Sequence, residues 1–414
     1  MKTASILTIG DEIMRGDIVD TNSSEMAHVL FQQGYTVKEH VSVGDHRDSI
    51  AKAVKRLVEA SDVVVISGGL GPTQDDCTRE GVSEALQLPL KFDEEVHRNI
   101  WERLAIYSRP IPENNARQAY ILDGAKILSN LHGTAPGQVI ELGEKRIFLL
   151  PGPPVEFQGM IPDVSRHLRQ QGMTQRRWSF FVGGLGESLV EERLRNDSRL
   201  KEVSLNTFAH GPLVEIVLYL CDELESEEEL SQNKDEIFSI LRELYSDASL
   251  LLEDEYHKEA VMKRLKERGV RISFAESVTG GLLARELTKN SGASEIFEGS
   301  LVTYSHTTKE ALAHVSRETL DTYTAVSPEV ALEMAQGLLA QGFCELAIAT
   351  TGEAGPTTQE GSLGEVYVAY CTHDSKRVES YQLRGSRNAI QESIASRVFL
   401  SLLTHELGGH HDAN

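Results

Sequence analysis

The sequence predicts an α/β protein in three parts: a doubly wound domain over residues 1–172, a small α+β connecting domain over 173–252, and a second α/β domain over 253–414. Three observations carry this. Strand-like and helix-like patterns alternate through the first 170 residues, as in stacked β-α-β units. The run 62–67 (DVVVIS) is apolar throughout rather than alternating, the signature of a parallel strand covered on both faces. After residue 173 the pattern changes to strands without intervening long helices and a strongly acidic run, before alternation resumes near residue 253.

Within the first part, residues 5–8 read as a short buried strand and 24–33 as an amphipathic helix stopped by Gly34. Residues 35–43 are a strand, 49–60 a helix with Ile50, Val54 and Leu57 on one face, and 145–150 (KRIFLL) a further strand. The middle part holds a strand at 178–182, a Gly183-Gly184 break, an acidic helix at 187–196 and a strand at 213–220. Residues 222–235 (DELESEEELSQNKD) read as a solvated loop and helix start. In the last part 259–268 is helical and 271–275 a strand. Ser327-Pro328 starts a helix, with Ser as N-cap and Pro in the first turn. Strands follow at 346–350 and 365–371, then an amphipathic helix at 388–403 and a polar tail, GGHHDAN.

Composition excludes several classes. An apolar content of 40% with 33 glycines is that of a globular chain. Lys and Arg number 41 against 63 Asp and Glu, a net charge of −22, which disfavours direct contact with nucleic acid or an anionic membrane. No run approaches the roughly 18–20 apolar residues of a membrane span, and the N-terminus lacks a signal-peptide core. The four cysteines are far apart, without metal-pair spacing or a disulfide framework. The expectation is a reduced, cytoplasmic protein.

The densest motif is Ser67-Gly68-Gly69-Leu70-Gly71-Pro72-Thr73-Gln74-Asp75-Asp76-Cys77-Thr78-Arg79-Glu80, which follows the most apolar strand and precedes a helix. Glycines there let backbone N–H groups approach a phosphate, and Asp75 and Asp76 suit a hard divalent cation. The plainer reading is a turn whose Asp residues cap the helix. Gly10-Asp11-Glu12 also follows a strand, and Asp20-Thr21-Asn22 opens the next helix. Taken in order, GDEIMRGDIVDTN, SGGLGPTQDDCTRE, ENNARQA, GTAPG and LPGPPVEF resemble the N-terminal domain of the CinA family. That domain is similar to the molybdopterin-binding fold of molybdenum-cofactor biosynthesis proteins. The resemblance implies a metal-dependent pyrophosphatase that splits ADP-ribose into AMP and ribose 5-phosphate. By motif, Asp76 and Asp75 would hold the ion (Mg, Mn or Co), Gly68, Gly69 and Gly71 would line the phosphate loop, and Asp11, Glu12 and Asn114 would lie nearby.

The second motif is Phe274-Ala275-Glu276-Ser277-Val278-Thr279-Gly280-Gly281, with Ser277 at the end of a strand and Thr279-Gly280-Gly281 opening a helix. A hydroxyl there can be presented to substrate, beside N–H groups available to an oxyanion. The alternative is that Ser277 or Thr279 merely caps the helix. Downstream, Lys309 is a general-base candidate if burial lowers its pKa, Tyr304 can relay a proton, and His306 reads as a surface residue. Arg387 near a helix start can bind a phosphate. AESVTGG, VTYSHTTK, AVSPEV, TTGEAGP and RGSRNAI resemble, in order, the C-terminal domain of the same family, which also occurs alone as PncC-type nicotinamide mononucleotide deamidase. The resemblance implies hydrolysis of nicotinamide mononucleotide to nicotinate mononucleotide and ammonia, with no cofactor at this site. Ser277 would be the nucleophile, Lys309 its base and Tyr304 an assisting hydroxyl. Thr279, Gly280, Gly281, Thr351, Gly352 and Arg387 would bind substrate. It further implies a homodimer, and leaves room for a monovalent cation. Three positions depart from the family pattern: Val278, where many relatives have Cys; His306, where Asn is usual; and Glu353, a carboxylate expected to weaken binding of a phosphorylated substrate. Two other readings stay open: handling of a molybdopterin-type ligand, and a non-enzymatic nucleotide-sensing scaffold linked to competence or DNA repair.

Overall fold

The computed structural model describes residues 2–106, 110–168, 174–201, 203–222, 227–253, 256–358 and 360–407. The polar tail (408–414), the boundary at 172/173 and residues 223–226 of the acidic run lie outside them. The chain forms two compact units, Met1–Arg177 with Leu220–Ser226, and Trp178–Tyr219 with Glu227–Asn414.

In the first unit the chain runs β1 (Lys2–Ile9), α1 (Asp11–Arg15), α2 (Thr21–Gln32), β2 (Tyr35–Val43), α3 (Arg47–Ala60), β3 (Val63–Ser67), α4 (Thr78–Leu86), β4 (Leu90–Phe92), α5 (Glu94–Ala105), β5 (Tyr120–Leu122), β6 (Lys126–Leu128), β7 (Gly137–Leu142), β8 (Lys145–Leu150) and α6 (Pro154–Leu168). The main sheet has the order β2-β1-β3-β8-β7-β6. Strands β2, β1, β3 and β8 are parallel, and β7 and β6 continue antiparallel. The apolar run in β3 is explained by its two covers. Val63 and Val65 face a core with Met26 and Leu30 of α2 and Phe157 and Met160 of α6. Val64 and Ile66 face another with Ile50, Val54 and Leu57 of α3 and Val82 of α4. This is the expected doubly wound arrangement.

The chain goes on through β9 (Thr174–Gly183), α7 (Glu187–Asn196), β10 (Leu205–His210), β11 (Leu213–Asp222), α8 (Glu227–Leu244) and β12 (Leu250–Glu253), of which all but 174–177 and 220–222 belong to the second unit. These strands form their own sheet, β10-β11-β9-β12. The sequence separates this segment as a domain. In the structure Phe181 and Leu213 share one core with Val261, Leu265, Phe274 and Ile394, so most of it is continuous with the C-terminal part.

The chain continues as α9 (His257–Arg268), β13 (Ile272–Glu276), α10 (Leu282–Thr288), β14 (Phe297–Val302), α11 (His306–Ala313), α12 (Arg317–Tyr323), α13 (Pro328–Leu339), β15 (Leu346–Gly352), β16 (Glu365–Cys371), β17 (Lys376–Gln382) and α14 (Arg387–Ser401). The sheet order is β14-β13-β15-β16-β17, with β14, β13 and β15 parallel and the last two antiparallel. Its faces differ in side-chain size. Phe274, Ile348, Val368 and Tyr370 face α9, α10 and α14. Ala275, Ala347, Ala349 and Ala369 face the core of α11, α12 and α13. Small residues on that face admit α13 closely. Ser327 caps α13 by accepting from the Val330 N–H, with Pro328 in the first turn.

Where α13 crosses the end of α11 there is no room for a side chain. A Cβ on Gly337 would lie 1.8 Å from the Ala313 carbonyl oxygen. Overpacking of this kind costs about 1–3 kcal/mol. Gly337→Ala is therefore expected to lower the unfolding free energy of the C-terminal unit by about 1–3 kcal/mol, read as a fall in its urea midpoint; an unchanged midpoint would contradict the close crossing that seats α11.

Candidate functional site

Both units place their motif loops at the carboxyl ends of parallel strands, where open α/β sheets bind ligands. In the first, the ends of β1, β3 and β8 surround an open cleft of about 800 Å³. Gly10, Asp11, Glu12, Gly68, Gly69, Gly71, Asp75 and Asp76 line it, with Asp45 and Gln118. Gly68 has φ +104°, and a Cβ there would meet the Ile9 carbonyl oxygen at 2.1 Å, so only glycine fits. Asn22 at the start of α2 donates to Ser67 Oγ (3.0 Å) and the Gly152 carbonyl (2.8 Å), tying two of the loops together.

Asp76 does not cap α4. The N-cap is Cys77, with no side-chain cap bond. Asp76 instead folds back on its own loop, accepting from the N–H groups of Gly71 (2.8 Å) and Thr73 (2.8 Å) and from Thr73 Oγ1 (2.5 Å). Asp75 is exposed. Asn114 is exposed and donates to the Pro72 carbonyl (3.3 Å). Asp20 does cap α2, accepting from the Ser23 N–H.

Two residues not singled out from the sequence complete the site. Asp45 follows β2 as Asp11 follows β1, and the two carboxylates accept each other's backbone N–H (2.8 and 3.2 Å). Burial raises the Asp45 carboxyl above its ordinary value, with Glu12, Asp11 and Asp76 adding to the effect. Arg79, only 1% exposed, donates to the carbonyls of Leu70 (2.7 Å) and Gly71 (3.0 Å) behind the loop. Its guanidinium is also held below its ordinary pKa by burial. For a divalent cation the donor chemistry fits: hard carboxylate oxygens with excess negative charge. They are not gathered around an ion, since among the described residues no three His, Cys, Asp or Glu stand close enough to hold one.

In the second unit the central feature is a contact between side chains 32 positions apart. Lys309 Nζ lies 2.8 Å from Ser277 Oγ and donates to the Thr303 carbonyl at 2.9 Å. Ser277 follows β13, and its N–H is fixed on the Thr350 carbonyl (2.9 Å). Lys309 is 1% exposed. Burial lowers its pKa to about 8, against a smaller opposing effect of Glu360. Ser277 is thus not the helix cap; Gly281 takes that place.

The other expected residues divide into two groups. Thr279 Oγ1 hydrogen-bonds Thr350 Oγ1 (2.8 Å), and Gly280 and Gly281 form the turn into α10. Thr351 Oγ1 donates to the Ala325 carbonyl (2.6 Å), and Gly352 ends β15. Arg387 is the exposed first residue of α14; one turn on, Gln391 donates to the Val278 carbonyl (2.8 Å). Tyr304 is 64% exposed and hydrogen-bonds neither Ser277 nor Lys309.

The N–H groups expected to be available at the start of α10 are not. The wholly buried Glu276 carboxylate accepts from Gly281 (2.9 Å), Leu283 (3.0 Å) and Ala284 (3.0 Å). The His306 and Glu353 departures also connect. His306 Nε2 lies 2.9 Å from Glu360 Oε1, and Glu353 Oε1 accepts from the Glu360 N–H (3.0 Å). Glu353 is therefore engaged within its own loop.

Comparison with known proteins agrees with this layout. Residues 5–170 match the model of the probable molybdopterin binding domain, and residues 254–407 that of the CinA C-terminal domain. A CinA-like protein of Thermosipho melanesiensis is 34% identical over 96% of this chain and 98% of its own length. This chain belongs to the CinA family. A relative in Caldanaerobacter subterraneus subsp. tengcongensis, described as competence-damage inducible, is 36% identical over 93% of this chain and 94% of its own. Among solved structures, a CinA protein from Thermoplasma acidophilum is 33% identical, covering 41% of this chain and 100% of its own with a TM-score of 0.39. Among the described residues of this CinA-family chain, no helix is long and apolar enough to cross a membrane.

Arg79 gives the N-terminal site its clearest test. Arg79→Met leaves the buried Leu70 carbonyl and the half-buried Gly71 carbonyl without their partner, at about 1–3 kcal/mol for the first and less for the second. The expected result is an unfolding free energy for the N-terminal unit lowered by about 2–4 kcal/mol, read as a fall in its urea midpoint; wild-type stability would contradict its role in holding the loop.

Proposed function

We propose that this CinA-family chain is a bifunctional pyridine-nucleotide hydrolase, with deamidation of nicotinamide mononucleotide in the C-terminal unit as its principal reaction. The observation that carries this reading is the buried 2.8 Å contact between Lys309 Nζ and Ser277 Oγ. With a pKa of about 8, about a tenth of Lys309 is neutral at pH 7, enough to act as a base. The neutral amine takes the Ser277 proton as Oγ adds to the carboxamide carbon. Collapse of the tetrahedral intermediate returns that proton to the nitrogen, and ammonia leaves. The resulting ester on Ser277 is attacked by water, with Lys309 again taking the proton, and nicotinate mononucleotide is released. Arg387 would hold the ribose phosphate, aided by the exposed start of α14.

For the N-terminal unit the proposed reaction is cleavage of ADP-ribose to AMP and ribose 5-phosphate. A divalent cation would supply charge neutralisation at the pyrophosphate. Asp76 and Asp75, with Asp11, Glu12 and Asp45, are the residues that would hold it. Gly68, Gly69 and Gly71 would admit the phosphates to the loop backbone. The match to a probable molybdopterin binding domain favours a second reading, handling of a pterin ligand. Titration with ADP-ribose and with molybdopterin, each with and without metal, separates the two. A sensing scaffold would bind tightly without turnover. A homodimer and a cytoplasmic setting belong to the same proposal.

The decisive assay is ammonia release from nicotinamide mononucleotide. Wild type is expected to release it, whereas Ser277→Ala and Lys309→Ala should lose at least about 10³-fold in rate with their fold intact. Release by Lys309→Ala at the wild-type rate would remove the dyad.

The pH profile is a separate test. The rate should rise with pH as Lys309 loses its proton, reaching half its limit near pH 8. The negative charge of Glu360 favours the lysine's protonated form, so Glu360→Gln should move this midpoint to lower pH. A midpoint moving upward would contradict the assignment of Lys309 as the titrating base.

A further inference from the structure

Every backbone N–H in the loop that follows Ser277 can be followed to an acceptor, with two exceptions. Ser277 N–H goes to the Thr350 carbonyl, Gly280 N–H to the Ser277 carbonyl and Leu282 N–H to the Thr279 carbonyl. Gly281, Leu283 and Ala284 donate to the Glu276 carboxylate. Among the described residues the N–H groups of Val278 and Thr279 have no partner. Unpartnered main-chain donors are rare within packed structure, and these two directly follow the nucleophile, the usual source of oxyanion donors at a strand-to-helix turn.

We propose that Glu276 is a positioning residue for amide hydrolysis at Ser277: its buried carboxylate takes up the first N–H groups of α10, leaving the Val278 and Thr279 N–H groups as the oxyanion donors. This deepens the Ser277 reading and rests on it. Glu276 is wholly buried and meets four donors, the fourth being Ser300 Oγ on β14 (2.9 Å). Its carboxylate therefore occupies the donors of the turn into α10, so that none of these N–H groups is left to turn toward Ser277. Its own backbone carbonyl accepts from the Thr303 N–H (2.8 Å), and Thr303 offers its carbonyl to Lys309. One residue thus connects the nucleophile loop, α10 and the strand leading to the base.

The two donors are held from three sides. The Val278 side chain is buried in the core with Leu283 and Ile390, and its carbonyl is fixed by Gln391 of α14. Thr279 is fixed through Thr350. When Ser277 Oγ adds to a carboxamide carbon, the C=O electrons move to oxygen, and the oxyanion is stabilised by donors already in place. In a glutamine at 276 the NH2 group would face N–H donors that need an acceptor, and the turn would lose its geometry.

The test uses the full chain and two readouts: labelling of Ser277 by a fluorophosphonate, whose phosphoryl oxygen needs the same donors, and steady-state hydrolysis of nicotinamide mononucleotide. Glu276→Gln is expected to slow labelling about 10²–10³-fold, as loss of oxyanion donors does, and to lower kcat similarly. KM should stay within about threefold, and the pH midpoint of labelling should not move, because Lys309 is untouched. Ser300→Ala, which removes one of the four donors, should slow labelling about 3–10-fold. It decides the matter if Glu276→Gln fails to fold. Wild-type labelling rates in a folded Glu276→Gln, or in Ser300→Ala, would overturn the proposal, as would a shifted pH midpoint or a raised KM with unchanged kcat. If wild type is labelled but releases no ammonia, the substrate reading fails while the labelling rates still decide the role of Glu276. A wild type that resists labelling would overturn both.

Discussion

The burial of Lys309 against Ser277 is the constraint on which the C-terminal unit depends. A lysine in this position is costly. Lowering its pKa from 10.5 to about 8 corresponds to roughly 3 kcal/mol. The sign follows from proton linkage: the penalty is complete below about pH 8, shrinks between there and the ordinary lysine value, and is gone above it. The rest of the unit offsets that cost. The alanine face of β13, β15 and β16 draws α13 inward, and Gly337 lets α13 and α11 cross with no side chain between them. That crossing places Lys309 within reach of the strand end carrying Ser277. The same desolvation that destabilises the folded chain is what would let Lys309 serve as the proposed base near neutral pH, a common exchange of stability for function.

The two units meet the same problem, an ordered turn at a strand end, with opposite charges. Behind the N-terminal loop, the Arg79 guanidinium gathers carbonyls. Behind the C-terminal loop, the Glu276 carboxylate gathers N–H groups. Each is an ion almost wholly removed from water and satisfied by main-chain dipoles, which fixes a loop more tightly than a neutral side chain would. In the first unit the loop then offers its glycine backbone toward a carboxylate-lined cleft. In the second it offers a hydroxyl and two N–H groups.

Much of this was legible from sequence because it is local. The apolar run of β3 announced two covers, and Ser327-Pro328 announced a capped helix. The strand-loop-helix punctuation around Gly68 and Ser277 located the two loops at the strand ends. What escaped depends on contacts between distant segments. Asp45 is joined to Asp11 across 34 positions, and only the parallel with Gly10-Asp11 after β1 hinted at it in Gly44-Asp45. Glu276 was part of a quoted motif, yet its role depends on the turn folding back over it. The middle segment read as separate because its sheet is separate; its core with the C-terminal part comes from Phe181 and Leu213 meeting residues some 50 to 200 positions later. Tyr304 is the converse case: family resemblance implied an assisting hydroxyl, and in the structure its side chain is exposed and bonded to neither member of the dyad.

The central claim is that Ser277 forms an ester with the substrate acyl group after Lys309 removes its proton. Acid-quenching the enzyme during turnover of nicotinamide mononucleotide, followed by mass analysis of its peptides, measures this directly. The expected result is a transient acyl adduct on the peptide containing Ser277, present in wild type and missing in Lys309→Ala. Turnover with no adduct at Ser277, or with an adduct on another residue, would contradict the account.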